Sequence, residues 1–193
     1  VWGVSHGDIL DYPVIDKNGI NETLTTALKL MAVLAAIWLL NVVFVAVHEG
    51  GHSAVAASFG AHIYEVYISP TGLDGATTHT RLTDQTQVNL VLAAGVVAST
   101  LAVFIAYLVR LEIAVYVLGL RTVESLINYS AGSDMLSLLN NVGNDTYGIS
   151  IALIAITGLF VGLTVRKRLN KSFSARRGAE TAQSDGTRPV PSA

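Results

Sequence analysis

The chain has 193 residues, of which 51% are hydrophobic and 13% charged. A soluble domain carries about 25% charged residues, so this composition excludes an ordinary water-covered globule and points to a bilayer as the main solvent. The formal net charge of −2 says little about partners, and the absence of cysteine excludes disulfides and thiolate ligands, leaving His, Asp, Glu or water for any metal site.

Residues 1–23 are mixed and acidic, with Asp8, Asp11, Asp16 and Glu22 against Lys17, and read as an exposed or interfacial arm. Leu24 to Val47 is almost unbroken apolar sequence interrupted by Lys29 and Asn41, and the apolar character resumes from Ala54 to Phe59. This block starts late and runs long for a cleaved signal peptide. About 20 such residues cross a hydrocarbon core, whereas a helix over 24–59 would measure roughly 50 Å, so part of it is expected to project, tilt or bend. Gly60 is a natural stop.

Residues 61–82 change period. Ile63, Val66, Tyr67 and Ile68 are strand formers, Pro70 to Gly75 is rich in turn residues, and Ala76 to Leu82 reads as a returning strand, which predicts a β-hairpin. Val88 to Val109 is the clearest second span, with Ala94, Ala98, Ala102 and Ala106 at intervals of four and Gly95 and Ser99 beside them. A face of small side chains allows close helix contact in lipid. Leu111 to Tyr129 is a weaker third span, carrying Glu112, Arg121 and Glu124; Arg121 and Glu124 are spaced to pair on one helical face, and an interfacial helix is the alternative. A polar stretch, Ser130 to Asp134, leads into a short helix over Met135–Asn141. Ile149 to Val165 is the last span, with Gly158 and Gly162 in GxxxG spacing.

Six of the twelve Lys and Arg residues fall between Arg166 and Arg177. A basic block directly after a span fits the cytoplasmic side, and it lacks the aromatic interleaving expected of a nucleic-acid surface. Residues 166–193 are predicted to be a basic, disordered tail. The expected fold is mainly α, a polytopic membrane helical bundle of about four spans (24–59, 88–109, 111–129, 149–165) with a small hairpin after the first. Three spans would put the N-terminus on the opposite side from the C-terminus.

The chemistry concentrates in His48-Glu49-Gly50-Gly51-His52. Two histidines four apart project from one helical face and can share a Zn²⁺, with Glu49 beside them as the base that deprotonates water. Between Lys29 and Arg81 the only other acidic residues are Glu65 and Asp74, so this polar cluster stands alone in an apolar helix, where charge is costly without a partner. Neutral histidines bonded to neighbouring helices are the bland alternative.

The HEGGH pentad at the end of a hydrophobic helix resembles the site-2 protease family of intramembrane zinc metalloproteases, including its smaller peptidase M50-like branch, in which Gly commonly precedes the second His as Gly51 does. The resemblance covers roughly residues 24–140. It implies β-structure after the motif helix, then a span, then a later segment that supplies an Asp ligand. Asp134 matches that order, and Asn128 matches an Asn that orients substrate or water. The family's prolines, spacing and Asp-Gly are not reproduced. Asp74, Glu124 and His79 remain alternative ligands; Glu124 with Asn128 also resembles the later motif of CAAX-processing membrane proteases. The implied activity is zinc-dependent hydrolysis of peptide bonds in membrane-anchored proteins, with the hairpin holding an unwound substrate strand. A non-proteolytic metal-binding scaffold or transport component retaining the motif is the competing function.

Overall fold

The computed structural model describes residues 17–185. Most of the expected N-terminal arm and residues 186–193 of the tail lie outside the described residues. In chain order come α1 (Lys17–Ser58), β1 (Ile63–Ile68), β2 (Gly75–His79), α2 (Gln85–Leu108), α3 (Glu112–Ile127), α4 (Asp134–Val142) and α5 (Asp145–Asp185). The chain divides into two compact units, Val1–Ala36 and Ile37–Ala193. The described part of the first is the beginning of α1, whose apolar side chains, such as Leu24, Leu28, Met31 and Leu34, are exposed. The second contains every other element.

Among the described residues, three helical segments are long and apolar enough to cross a membrane: Asn21–Ser58, Gln85–Leu108 and Asp145–Arg177. The expected third span is not one of them. α3 has 16 residues, a rise of roughly 24 Å against a core of about 30 Å. Two boundaries also differ from expectation. α1 begins at Lys17, inside the expected arm, and α5 continues to Asp185, so the stretch expected to be a disordered tail is helical to that point. Its Arg, Lys, Ala, Glu and Gln residues are helix formers, and the first proline after the span is Pro189, so a composition rich in Ser, Arg, Gly, Thr and Pro over the tail as a whole is a poor guide to the conformation of its first part.

The hairpin forms as its strand formers suggest, pairing Val66 with Thr77 and Ile68 with Gly75, with an irregularity between Ile63 and Glu65. Gly72 sits in the turn at φ +67°, and an added Cβ would lie 2.7 Å from the Val42 nitrogen. The turn is thus seated on α1, where the Trp38 indole N–H also donates to the Pro70 carbonyl at 3.0 Å.

The small residues of α2 do what their spacing suggests. Gly51 of α1 packs so closely that an added Cβ would lie 2.6 Å from the Ala94 carbonyl oxygen and 2.8 Å from the Ala98 Cβ. Two apolar clusters flank this crossing. One joins Phe44 and Val45 of α1 to Val103, Ala106, Val115 and Leu118; the other joins Val96, Leu126, Met135 and Leu138. α3 meets α5 at Gly119, where a Cβ would lie 2.7 Å from Val161. The GxxxG residues Gly158 and Gly162 face open space instead, because α5 turns its buried Thr146, Ser150, Thr157 and Thr164 inward.

Gly51→Ala therefore overpacks the α1–α2 crossing and is expected to cost about 1–3 kcal/mol. Gly50→Ala meets nothing within 4 Å and gains helix propensity. Thermal unfolding in detergent checks this: the midpoint falls for Gly51→Ala and holds or rises for Gly50→Ala.

Candidate metal centre

His48 and His52 lie one turn apart on α1, with ring centroids 4.8 Å apart. The Nε2 atoms of both stand 3.0 Å from the same oxygen, Oδ2 of Asp134. Among the described residues these three side chains form the one group of His or acidic residues with ligand atoms close enough to share a metal ion, all within 4.8 Å of one another. Both histidines and Glu49 are buried.

Asp134 arrives by a simple local device. Ser133 caps α4, its Oγ accepting from the Leu136 N–H at 3.2 Å, so Asp134 is the first residue of that helix. The ordinary role of an acidic residue in a helix's first turn and a role as ligand coincide in this side chain. Burial works to raise its pKa, but hydrogen bonds and charge from the two imidazoles, when these are protonated, outweigh that and hold its carboxyl below the ordinary carboxylate range. It is an anion at neutral pH.

The proton positions follow from the partners on the far side of each ring. His52 Nδ1 lies 2.6 Å from the Val91 carbonyl oxygen, which can only accept, so Nδ1 carries the hydrogen. Ser99 Oγ donates to the Gly95 carbonyl at 2.9 Å and lies 3.2 Å from His48 Nδ1. With its own proton committed, Ser99 accepts from that ring as well. In the neutral rings both Nε2 lone pairs then point at a carboxylate oxygen, and three lone-pair donors converge on one point. A cation held at that point would stabilise the arrangement. Metal-ligating histidines usually donate the other ring N–H in this way. Ligand atoms around a tetrahedral zinc with bonds of about 2.0–2.1 Å are separated by roughly 3.3 Å, close to the 3.0 Å from each ring to Asp134. The residues fit a zinc ion.

Gly95 keeps this point open. A Cβ there would lie 2.4 Å from His52 Nε2 and 2.7 Å from His48 Nε2. Glu49 lies alongside, its Oε2 accepting from the Thr77 hydroxyl of β2 at 2.9 Å. The site opens into a cavity of about 550 Å³ bounded by α1, β2, α2, the end of α3 and the loop before α4.

The other expected residues are distributed around this cavity without joining the ligand group. Asp74 accepts from the Gly75 N–H in the hairpin turn. His79 Nδ1 donates to the Thr80 carbonyl. Glu124 pairs with Arg121 at 2.6 Å, as their spacing suggested. Arg121 also donates to the Leu73 carbonyl at 3.0 Å and lies over the Phe44 ring. Asn128 borders the cavity, with its Oδ1 accepting from the N–H and hydroxyl of Ser130, so this oxygen serves a local turn. Sequence reasoning missed Ser99, Gly95 and the Val91 carbonyl as parts of the site. Gly95 and Ser99 had been visible only as members of the small-residue face of α2.

No protein-family model, curated protein or solved structure matches this chain, so the site is judged on its own geometry.

The purified chain is expected to bind about one zinc ion, the number a single three-ligand site holds. Asp134→Ala and His52→Ala should abolish binding, and Ser99→Ala should weaken it by roughly 10- to 100-fold, the usual effect of losing a group that orients a ligand. Titration against a chromophoric chelator measures all three.

Proposed function

We propose that the protein is an intramembrane zinc metalloendopeptidase, similar to the site-2 proteases, that hydrolyses peptide bonds of membrane-anchored proteins. The observation that carries this reading is the convergence of His48, His52 and Asp134 on one point with the Glu49 carboxyl beside it. His48, His52 and Asp134 would hold the ion. When bound, zinc acidifies a water molecule and draws charge from a peptide carbonyl.

The chain's own groups account for the remaining requirements of hydrolysis. Glu49 accepts the proton lost by the attacking water and delivers it to the departing amine nitrogen as the C–N bond breaks. Ser99 and the Val91 carbonyl keep the imidazoles in the ligating tautomer. β2 pairs with β1 on one edge and, among the described residues, with no strand on the other. Its residues Gly75, Ala76, Thr77 and His79 border the cavity, so an extended substrate backbone can add to that edge. The cavity's polar border, including Arg121 and Glu124, gives water a path to a site among apolar helices.

In this reading the protein is a multi-pass membrane protein. α3, packed between α2 and α5, serves as the fourth crossing, with loop residues completing its length. The basic end of α5 lies on the cytoplasmic side. α5 begins near the site, where Ser150 meets Tyr129 and Met135, and runs past Phe104 and Tyr107 towards its basic end. The metal centre accordingly sits at the end of the bundle facing away from the cytoplasm.

Glu49→Gln separates a peptidase from a metal-binding scaffold. The variant should keep its zinc while cleavage of a dye-labelled single-span helical peptide in vesicles falls by roughly 10²- to 10⁴-fold, the range for losing a general base. Wild-type turnover in the variant would leave the scaffold. The absence of native cysteine makes the topology testable too. A membrane-impermeant maleimide should label Thr78→Cys on intact cells and Ser174→Cys only after lysis, and the reverse pattern would invert the orientation.

A further inference from the structure

We propose that Thr77 is a positioning residue for Glu49, making the geometry of the base depend on the seating of the hairpin. The inference rests on the hydrolase reading and extends it to a residue outside the pentad. Thr77 Oγ1 lies 2.9 Å from Glu49 Oε2 and 3.1 Å from the Glu49 carbonyl oxygen. Ser53 Oγ already donates to that carbonyl at 2.8 Å. The single Thr77 proton therefore has a neutral acceptor that is already served and a nearer carboxylate, and the carboxylate is the stronger acceptor. Donation to Oε2 fixes one oxygen of Glu49 and leaves Oε1 to accept the proton.

The strand is shaped for this contact. Alternation places Gly75, Thr77 and His79 on one face of β2, the less exposed one. At Gly75 a Cβ would lie 2.5 Å from Val45 Cγ1 and 2.9 Å from Glu49 Cγ. The missing side chain lets the strand approach α1 closely enough for a hydroxyl as short as that of threonine to reach the base. The approach is pinned at the turn by the bonds from Trp38 to Pro70 and from Arg121 to Leu73. The base thus stands on α1 and its clamp stands on β2, the strand whose residues border the cavity and whose second edge pairs with no strand among the described residues. A backbone that adds to that edge loads the element that orients Glu49.

The test uses the full chain in vesicles with zinc and the dye-labelled single-span helical peptide as probe. Thr77→Val, which keeps the shape and removes the hydroxyl, should lower kcat by roughly 10- to 100-fold, the scale of one charge-assisted hydrogen bond. KM should stay within about twofold, because the lost bond orients the base and does not bind substrate. Thr77→Ser should restore most of kcat. A role in hairpin packing alone would instead raise KM and leave kcat at the wild-type level, and that result overturns the inference. A second readout is independent of turnover. The Glu49 carboxylate stretch, assigned by infrared difference against Glu49→Gln, should shift in Thr77→Val and hold in Thr77→Ser; an unmoved band in Thr77→Val overturns the inference whatever the kinetics. If wild type and Glu49→Gln are equally inert towards that peptide, the peptidase reading falls, and the infrared comparison still decides whether Thr77 holds Glu49.

Discussion

Two imidazole rings on one turn of α1 have their Nδ1 hydrogens tied to α2, one to the Val91 carbonyl and the other to Ser99. Those anchors are eight residues apart, so they share a face of α2 with Gly95 midway between them. This register aims both Nε2 lone pairs at Asp134. The rest of the site depends on it, because a ring rotated by a lost anchor would turn a donor away from the shared point. The anchors can reach only if the helices nearly touch, and Gly51 and Gly95 make that approach possible. The small-residue face of α2 is therefore both a packing device and the mould of the candidate metal centre.

Polar groups buried between apolar helices are expensive. Burying two histidines and two carboxyls between apolar helices costs several kcal/mol per unpaired charge, and each of the four has a partner. Asp134 meets the two rings, Glu49 meets Thr77, and each ring meets α2. The partners come from different parts of the chain: α2, the cap of α4 and the hairpin. The apolar clusters on either side of the crossing hold those elements in place, so the fold assembles a polar site that no single helix could support.

Much of this was readable from residue order. The pentad identified His48, Glu49 and His52; strand formers around turn residues identified the hairpin; and two uninterrupted apolar runs located α2 and the apolar part of α5. Asp134 was legible only through the order of elements in a resembling family, since an acidic residue after a capping serine has an ordinary explanation. The Val91 carbonyl could not be read at all, because every residue has one and only tertiary structure selects it. Thr77 and Thr78 are indistinguishable until the strand's phase is known. Spacing misdirected attention at Gly158 and Gly162, because the pattern does not say which face of α5 turns inward. The close approach to α5 uses Gly119, an isolated glycine with no motif around it.

The central claim, that these three side chains grip one cation, is tested most directly by zinc K-edge X-ray absorption on the metal-loaded protein. The account predicts a first shell of nitrogen and oxygen at about 2.0–2.1 Å, with the outer-shell scattering of two imidazoles that disappears in His48→Ala/His52→Ala. A shell of oxygen alone, or an imidazole signal unchanged by that double substitution, would contradict it.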